Sequence, residues 1–278
     1  MTNKMMGPFV KWAGGKGQLF DRIRIRIPKT YKTYYEPFVG GGAVVLGIKP
    51  QKAVINDTNE QLINVYRQLK EDPRQIIRAI DSLDRVTCDK EFYLSIREKY
   101  NQKIQKGELD AECAALMIWI NKHCFNGLYR VNNKGLFNVP FNNKKTGKSI
   151  DEVNLMNIGW YLSEYDVQIT CNDFEEACAN VQAGDFVYFD SPYVPVSETA
   201  SFTDYTKDGF TYDDHVRLAE LFKRLDGIGA KVMLSNHDVE LVHQLYDGYS
   251  IVSVDVKRNI NSDASKRTGK EVIITNYD

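Results

Sequence analysis

The pattern of apolar and polar positions changes twice along the chain. Residues 34–56, and the chain from about residue 165 onward, contain short apolar runs bounded by glycine or polar turns, which predict central strands of an α/β sheet. Helical spacing between the later runs predicts helices at 213–226 and 238–246. The predicted strands are Tyr34–Val39, Ala53–Asn56, Val167–Cys171, Phe186–Phe189, Lys231–Leu234 and Glu271–Asn276, with a helix at Ala43–Ile48.

The middle of the chain follows a helical pattern instead. Residues 74–122 predict two or three helices, and Ala111–His123 is the most apolar segment among them. Cys124–Gly127 has the composition of a helix end. Residues 128–139 then alternate on both sides of an Asn/Gly turn, which predicts a β-hairpin. Residues 23–27 alternate like a strand but suit an N-terminal helix equally well.

The length and composition fit one or two globular domains. The chain has 278 residues, of which 43% are apolar and 26% charged. A domain typically takes about 150 residues, and this mixture excludes disordered, collagen-like and coiled-coil proteins. We expect an α/β sheet domain formed by residues 1–57 and 165–278, interrupted by a mostly helical domain at 58–164 that contains the hairpin.

The composition does not indicate a membrane protein, a disulfide framework or a metal site. No apolar run approaches the roughly 18 residues needed to cross a bilayer, and the N-terminus lacks the apolar core of a signal peptide. We therefore expect a cytoplasmic protein. The five cysteines are an odd number without a Cys-x-x-Cys pair, which predicts reduced thiols. The four histidines show no ligand spacing, so no metal is expected.

Charge is strongly segregated although the total is close to zero. Lys and Arg number 36 against 37 Asp and Glu, and a net charge of −1 argues at first against nucleic-acid binding. Residues 1–35, 113–150 and 256–270 carry +7, +6 and +4, however, so the remainder carries −18. The stretch 113–150 has no acidic residue, as in a surface that attracts phosphates. A solvated lysine-rich face would give the same pattern.

A glycine-rich turn follows the first predicted strand. In the sequence Glu-Pro-Phe-Val-Gly-Gly-Gly at 36–42, the glycines allow close approach of a ligand and open the next helix. Asp57 stands fifteen residues beyond Gly42, after the next strand, where an acid can hold ribose hydroxyls. The spacing is not Gly-x-Gly-x-x-Gly, which disfavours a dinucleotide. A nucleoside site and a simple tight turn remain about equally supported.

A second motif, Asp-Ser-Pro-Tyr at 190–193, follows the apolar strand Phe186–Phe189. Asp190 would lie at the carboxyl edge of the sheet, where open α/β sheets bind ligands, and Ser191 precedes a proline and is therefore extended. A carboxylate, a carbonyl and the ring of Tyr193 suit a planar base that bears an amino group. An edge-capping Asp beside a packing Tyr is the plainer alternative. The third motif, Lys-Trp-Ala-Gly-Gly-Lys at 11–16, lacks the spacing of a phosphate-binding loop and is weak by itself.

These motifs in this order resemble the Dam-type DNA adenine-N6 methyltransferases, most closely the DpnM subgroup that modifies GATC. The resemblance covers almost the whole chain. It includes KWAGGK at 11–16, EPFVGGGAV at 36–44, INDTNEQLI at 55–63, FNGLYRVNNKGLFNVPF at 125–141, the pair Asp173–Phe174, DSPY at 190–193 and SFTDYT at 201–206. It implies a Rossmann-like class I S-adenosylmethionine-dependent fold with an inserted DNA-recognition domain, and double-stranded DNA as the partner.

The resemblance also implies roles for individual residues. Asp190, Ser191, Pro192 and Tyr193 would form the catalytic motif, with the Ser191 carbonyl as the acting group. The implied cofactor-binding residues are Trp12, Lys16, Phe38, Gly40, Asp57, Asp173, Phe174 and Asp190, and the implied DNA-binding residues are Lys11, Phe125, Asn126, Leu128, Arg130, Asn132 and Pro140. Phe125 would enter the base stack and Arg130 would read a guanine, since Arg to guanine is the commonest specific base contact. The charge pattern adds 257–270 as a candidate DNA-backbone loop.

The chain departs from the family pattern at two places. The family usually has Asp-Pro-Pro-Tyr, whereas Ser191 is the second residue here, which still supplies the carbonyl but from a less rigid turn. The relatives tend to have Gly-Arg-Tyr after Phe141, whereas Asn142, Asn143 and Lys144 follow here. Three alternatives remain open from the residues: a protein glutamine N-methyltransferase, a non-catalytic DNA-binding relative and a nicotinamide oxidoreductase.

Overall fold

The computed structural model describes residues 6–12, 14–16, 19–144, 147–195, 209–257 and 268–278. The helices are α1 Phe20–Arg24, α2 Ala43–Ile48, α3 Glu60–Glu71, α4 Pro73–Asp84, α5 Lys90–Lys106, α6 Ala111–His123, α7 Glu152–Glu164, α8 Phe174–Ala177, α9 Tyr212–Gly227 and α10 Glu240–Leu245. The strands are β1 Tyr34–Glu36, β2 Lys52–Asn56, β3 Asp166–Thr170, β4 Phe186–Phe189, β5 Lys231–His237, β6 Ser250–Lys257 and β7 Thr268–Thr275. None of the described helices is long and apolar enough to cross a membrane.

The strands form one seven-stranded sheet in the order β3-β2-β1-β4-β5-β7-β6. β1 pairs in parallel with β2 on one side and with β4 on the other, and β4 pairs in parallel with β5. β7 runs antiparallel between β5 and β6. Because the chain order reverses at β1, the carboxyl ends of β1 and β4 form the position where α/β sheets hold their ligands.

Backbone contacts divide the chain into two compact units. Unit 1 comprises residues 1–15, 39–51 and 56–171, and unit 2 comprises residues 16–38, 52–55 and 172–278. The boundaries of 58–164 expected for an inserted domain remain a prediction, since this division rests on contacts and not on recognition of DNA.

The core of unit 2 lies on its central strands. All four residues of β4 are buried, as a strand covered on both faces requires. Phe189 and Leu234 lie in a cluster with residues of α9 such as Phe222. Burying side chains of this size contributes about 1.5–3 kcal/mol each. The apolar core therefore holds β4, which ends directly before Asp190, and β5, which contains Ser235.

The helices of unit 1 begin at side-chain caps. Asn59, Asp72, Asp89, Asp110 and Asp151 each accept a hydrogen bond from a backbone N–H in the first turn of the following helix. Such caps stabilise a helix by about 1 kcal/mol. α6 is buried almost throughout its length, as its apolar sequence predicts.

Several predicted boundaries differ from the observed ones. The strand expected at Tyr34–Val39 ends at Glu36, and residues 23–27 do not form a strand, because α1 covers Phe20–Arg24. β6 was not predicted, and β5 extends three residues beyond the predicted Leu234 to His237.

The expected hairpin is reduced to one antiparallel bridge between Val131 and Phe137, without assigned strands. The Asn132 side-chain oxygen accepts the N–H groups of Lys134 and Leu136 and so closes the turn. The motif at 201–206, and residues 258–267 of the basic loop, lie outside the described residues.

Candidate functional site

Asp190 follows β4 directly and lies beside Lys16 in unit 2. The Lys16 ammonium forms an ion pair with Asp190 Oδ1, and Lys16 is only 4% exposed. The Ser235 hydroxyl of β5 donates to the same oxygen over 3.4 Å. Burial raises the pKa of the Asp190 carboxyl above its usual range, and the Lys16 charge opposes that rise. The Lys16 ammonium therefore favours the ionised form of the Asp190 carboxyl although that group is largely buried.

The ring of Tyr193 is held from three directions. Its hydroxyl donates to Glu271 Oε2 on β7 over 3.0 Å, and Lys16 Nζ lies 4.5 Å from the ring centroid. His237, at the end of β5, meets the ring edge-on with centroids 4.8 Å apart. Burial and the charges of Asp190 and Glu271 raise the pKa of the Tyr193 hydroxyl well above its usual value, so the phenol stays neutral.

The loop after Asp190 is fixed by Asn236 of β5. The Asn236 side-chain oxygen accepts the N–H of Val194 over 2.9 Å, and His237 Nδ1 lies 2.6 Å from the Val194 carbonyl. Pro192 is exposed, whereas Ser191 is buried and its hydroxyl has no hydrogen-bond partner within the described part of the chain. The Ser191 hydroxyl therefore adds no bond that would rigidify the turn where the family has proline.

Asp57 in unit 1 binds the glycine turn. Its two carboxylate oxygens accept the N–H of Gly40 over 3.1 Å and the N–H of Asn59 over 2.9 Å. Burial raises the pKa of the Asp57 carboxyl, and these two hydrogen bonds oppose the rise. Each carboxylate oxygen can accept a further bond, so Asp57 can receive hydroxyl donors while it holds the turn.

The glycines at 40 and 42 are required by close neighbours as well as by their backbone. A Cβ at Gly40, where φ is +49°, would lie 2.8 Å from the Trp12 ring, and one at Gly42, where φ is +77°, would lie 2.5 Å from the Tyr66 hydroxyl. Tyr66 donates that hydroxyl to the Gly40 carbonyl, and Trp12 stacks on Tyr129. The glycine turn therefore approaches aromatic side chains closely, as only glycine can.

Phe38, Asp173 and Phe174 form a separate group in unit 2. Phe38 and Phe174 pack with ring centroids 5.5 Å apart, and Phe174 is buried. Asp173 caps α8 and accepts from Arg217 Nη2 over 2.9 Å. The Arg217 guanidinium lies over the Phe174 ring at 4.8 Å. Arg217 thus fixes both members of the pair that the sequence singled out.

The seven residues that the resemblance assigns to DNA all lie in unit 1 and are exposed. Phe125 and Leu128, two apolar side chains, are 51% and 44% exposed. Asn126 and Gly127 between them have positive φ angles of 56° and 67°, which reverse the chain directly after α6. Lys11 is exposed as well. Two exposed apolar groups beside a basic side chain are suited to contact stacked bases and their phosphates.

The following segment presents Arg130. Its side chain is exposed, and its Nε donates to Asn138 Oδ1 over 2.8 Å. The two terminal guanidinium nitrogens take no part in that bond. Pro140 is exposed and its carbonyl accepts the N–H of Phe125 over 2.8 Å. Asn132 uses its side-chain oxygen in the turn, so only its amide nitrogen can reach a ligand.

One basic residue of the acid-free stretch is neutralised by a neighbour just beyond it. Lys148 forms an ion pair with Glu152 of α7. Lys122, Lys134 and Lys144 are exposed, and Lys145 lies outside the described residues. The positive charge expected of residues 113–150 is therefore smaller at the end nearest α7.

A family model for the D12 class N6 adenine-specific DNA methyltransferases matches residues 12–260 of the chain. The chain belongs to this family. The family establishes the chain as an enzyme and a DNA adenine-N6 methyltransferase, as the sequence predicted, and the seven-stranded α/β sheet accords with its fold. The alternatives of a glutamine methyltransferase, a non-catalytic relative and a nicotinamide oxidoreductase are thereby set aside.

Relatives match the chain over nearly its whole length. The Type II methyltransferase M1.LlaDCHI of Lactococcus lactis subsp. cremoris is 44% identical, over 97% of this chain and 95% of its own. The Type II methyltransferase M.MjaIII of Methanocaldococcus jannaschii is 43% identical, over 97% and 99%. A DNA adenine methylase of Serratia marcescens is 33% identical, over 97% of each.

For this methyltransferase, sequence reasoning missed the residues that hold the motifs. Ser235, Glu271 and Arg217 contact Asp190, Tyr193 and Asp173, respectively, but lie far from them in the sequence. Glu271 is a single acid directly before the apolar run Val272–Ile274, where a solvated charge at the end of a strand would give the same pattern. Asn121 could have been noticed from the sequence, because an amide within the apolar helix α6 is buried and buried amides need hydrogen-bond partners.

Proposed function

We propose that this enzyme transfers the methyl group of S-adenosylmethionine to the N6 amine of an adenine flipped out of double-stranded DNA, within the sequence GATC. The observation that carries the proposal is the Asp190 carboxylate beside the held ring of Tyr193. GATC rests on the resemblance to the DpnM subgroup.

The acceptor chemistry needs a carboxylate and an aromatic surface together. The N6 lone pair of adenine is delocalised into the ring, so the amine is a poor nucleophile. Hydrogen bonds from N6–H to Asp190 and to the Ser191 carbonyl increase electron density on the nitrogen, while the adenine ring stacks on Tyr193. Positioning and electrostatics supply the rate, since no group in the motif needs to remove a proton in advance.

The geometry of Asp57 fits the donor. Its carboxylate, held by two backbone N–H groups, has acceptor positions left for ribose hydroxyls. The half-buried indole of Trp12 and the turn at Gly40, in the same unit as Asp57, offer surface for the rest of the nucleoside. The resemblance also assigns Phe38, Asp173 and Phe174 to the cofactor. When bound, S-adenosylmethionine supplies the sulfonium methyl group, and no metal is needed.

The exposed face of unit 1 supports the DNA contacts. We propose that residues 58–164 act as the target-recognition domain, together with Lys11 from the N-terminal segment. Phe125 enters the base stack, Arg130 reads a guanine in the major groove, and the remaining contacts come from Asn126, Leu128, Asn132 and Pro140. A DNA substrate also favours a cytoplasmic location.

Protection from nucleases tests the proposal. GATC-containing DNA is incubated with the enzyme and S-adenosylmethionine and then exposed to nucleases that differ in sensitivity to adenine methylation. Protection at GATC alone is expected, and none with an Asp190→Ala variant that still binds DNA. Protection at another sequence would overturn GATC while leaving the methyltransferase intact, and full protection by Asp190→Ala would overturn its catalytic role.

A further inference from the structure

The segment that carries Lys11 has no strand or helix of its own. Residues 6–12 are irregular with a bend at Phe9 and Val10, and the structure assigns them no ladder partner. Two asparagine side chains hold the segment instead. Each asparagine donates to the carbonyl and accepts from the N–H of the same backbone residue, which imitates one rung of a β-ladder.

The first clamp is Asn154 on α7. Its oxygen accepts the N–H of Gly7 over 3.1 Å, and its nitrogen donates to the Gly7 carbonyl over 2.9 Å. The second clamp is Asn121 on α6, which accepts the N–H of Lys11 over 2.8 Å and donates to the Lys11 carbonyl over 2.9 Å. The two clamps thus fix the two ends of the segment in the same manner.

Asn121 makes one bond that Asn154 does not. Its amide nitrogen also donates to the Gly127 carbonyl over 3.0 Å. Gly127 is part of the turn that exposes Phe125 and Leu128. One amide, 3% exposed, therefore binds both the Lys11 backbone and the turn after α6.

The contact between Lys11 and Gly127 is close enough to make the two segments one unit. A Cβ on Gly127 would lie 2.5 Å from Lys11 Cδ and 2.7 Å from Lys11 Cβ. A methyl group cannot enter that space unless the Lys11 side chain moves. Hydrogen bonds on one side and side-chain contact on the other fix Lys11 against the turn.

We propose that Asn121 is a positioning residue for target recognition, which holds Lys11 and the Phe125–Leu128 turn in the relative geometry needed to discriminate the target sequence. The inference rests on the proposed DNA contacts of Lys11 and Phe125. Asn121 itself is buried and touches no DNA; it acts through the two segments that it joins.

The test measures discrimination, the ratio of kcat/KM on a GATC duplex to that on duplexes with one substituted base pair. Asn121→Ala is expected to lower this ratio at least tenfold, which corresponds to about 1.4 kcal/mol. Asn154→Ala removes the equivalent clamp at Gly7 and is the matched control, expected to leave the ratio within twofold of the wild type. Equilibrium binding of S-adenosylmethionine is measured for each variant to show that it is folded.

A second pair of variants covers the case in which Asn121→Ala does not fold. Gly127→Ala forces a methyl group against Lys11, whereas Gly107→Ala places one in open space at almost the same φ, 66° against 67°. Both carry similar backbone strain. Only Gly127→Ala is expected to lower discrimination tenfold or more.

A merely structural role of Asn121 would change the discrimination ratio in a different pattern across these variants. If Asn121 acts through Lys11 and the turn, Asn121→Ala adds little further loss of discrimination to a Lys11→Ala, Phe125→Ala background. Equal loss from Asn121→Ala and Asn154→Ala, or from Gly127→Ala and Gly107→Ala, overturns the inference. If Lys11→Ala and Phe125→Ala themselves leave discrimination unchanged, the proposed DNA surface is wrong and the inference fails with it.

Discussion

The proposed catalytic motif in unit 2 and the proposed recognition surface in unit 1 are held in place by different means. Asp190 and Tyr193 contact polar groups at the ends of neighbouring strands: Ser235 on β5 and Glu271 on β7. Lys11 and the Phe125–Leu128 turn belong to none of the strands assigned in the described residues; the Asn121 amide binds both, and the Phe125 N–H bonds to the Pro140 carbonyl. The buried charge of the proposed catalytic motif lies at the sheet, whereas the residues proposed to contact DNA are exposed and are held in part by side chains from helices.

A third asparagine clamp, formed by Asn101, supports this contrast. Asn101 of α5 accepts the N–H of Phe137 over 2.9 Å and donates to its carbonyl over 3.1 Å. Phe137 lies opposite Val131 in the segment that carries Arg130. The asparagine takes the place of a strand partner on the outer edge of this segment, while the N–H groups of Asn132 and Asn138 bond across the turn to the carbonyls of Leu136 and Arg130. Substitutions at exposed recognition residues are therefore expected to change specificity with little effect on folding, unlike substitutions beneath the catalytic motif.

The largest effect is expected from Lys16→Met, which leaves the Asp190 carboxylate without its charge partner. Removing one member of a buried ion pair costs about 3–5 kcal/mol. The pKa of Asp190, already raised by burial, rises further, so the acid limb of the pH–rate profile moves to higher pH. The loss of unfolding free energy is greatest above that pKa and shrinks as pH falls and Asp190 takes up a proton.

Lys32→Met is the control for this prediction, because Lys32 is exposed and its ammonium donates only to the Ala183 carbonyl among the bonds that the structure assigns to it. Denaturant unfolding and pH–rate profiles measure both variants. A Lys16→Met enzyme whose acid limb stays at the wild-type position would contradict the role assigned to the ion pair.

The next effect separates the ring of Tyr193 from its hydroxyl. Tyr193→Ala removes the stacking surface and is expected to cost about 1–3 kcal/mol in kcat/KM. Tyr193→Phe keeps the ring and loses only the hydrogen bond to Glu271, worth about 0.5–1.5 kcal/mol. Steady-state kinetics on one duplex compares the two. If Tyr193→Phe were as damaging as Tyr193→Ala, the ring would not be the surface on which the base stacks.

A loss of sequence discrimination of similar size is expected from substitutions at the proposed recognition surface. Arg130→Ala should relax discrimination at one base pair by about 1–3 kcal/mol while transfer to permissive sequences continues. Asn138→Ala, which removes the acceptor of Arg130 Nε, should give a smaller loss at the same base pair. Competition among singly substituted duplexes measures both. Uniform weakening across all sequences would assign Arg130 to the DNA backbone instead.

The smallest effect distinguishes two lysines of the basic stretch. Lys134 is exposed, so Lys134→Ala should lower the slope of log affinity against log salt by about 1. Lys148 is already paired with Glu152, so Lys148→Ala should change the slope less. Binding titrations over a salt series provide the measurement. Equal changes in slope would show that the pairing with Glu152 does not persist when DNA binds.

The features that could be predicted from the sequence are those that a local pattern of residues determines. The apolar run Phe186–Phe189 gave β4 with its observed limits, and Ala111–His123 gave α6 likewise, because both are buried on all sides. Asp190 and Asp57 were found because an acid directly after a strand is visible in the sequence alone. The basic stretch was visible too, although its charge is partly cancelled by Glu152 just outside it.

Contacts between distant residues could not be predicted in this way. β7 lies between β5 and β6 although it follows both in the chain, and nothing local specifies that order. The partners Glu271 of Tyr193 and Asn121 of Lys11 lie 78 and 110 residues away from the residues they hold. The alternation at 128–139 indicated paired strands, and backbone bonds do cross the turn, but nothing local indicated the Asn101 clamp on the outer edge at Phe137.

The most direct test identifies the methylated atom. Wild-type enzyme and Asp190→Ala are incubated with S-adenosylmethionine carrying an isotope-labelled methyl group and a GATC duplex, and the DNA is digested to nucleosides for mass spectrometry. Labelled N6-methyl-2′-deoxyadenosine is expected from the wild type and none from Asp190→Ala, although that variant still binds the duplex. Label on cytosine, or labelled adenine from Asp190→Ala at the wild-type rate, would contradict the account.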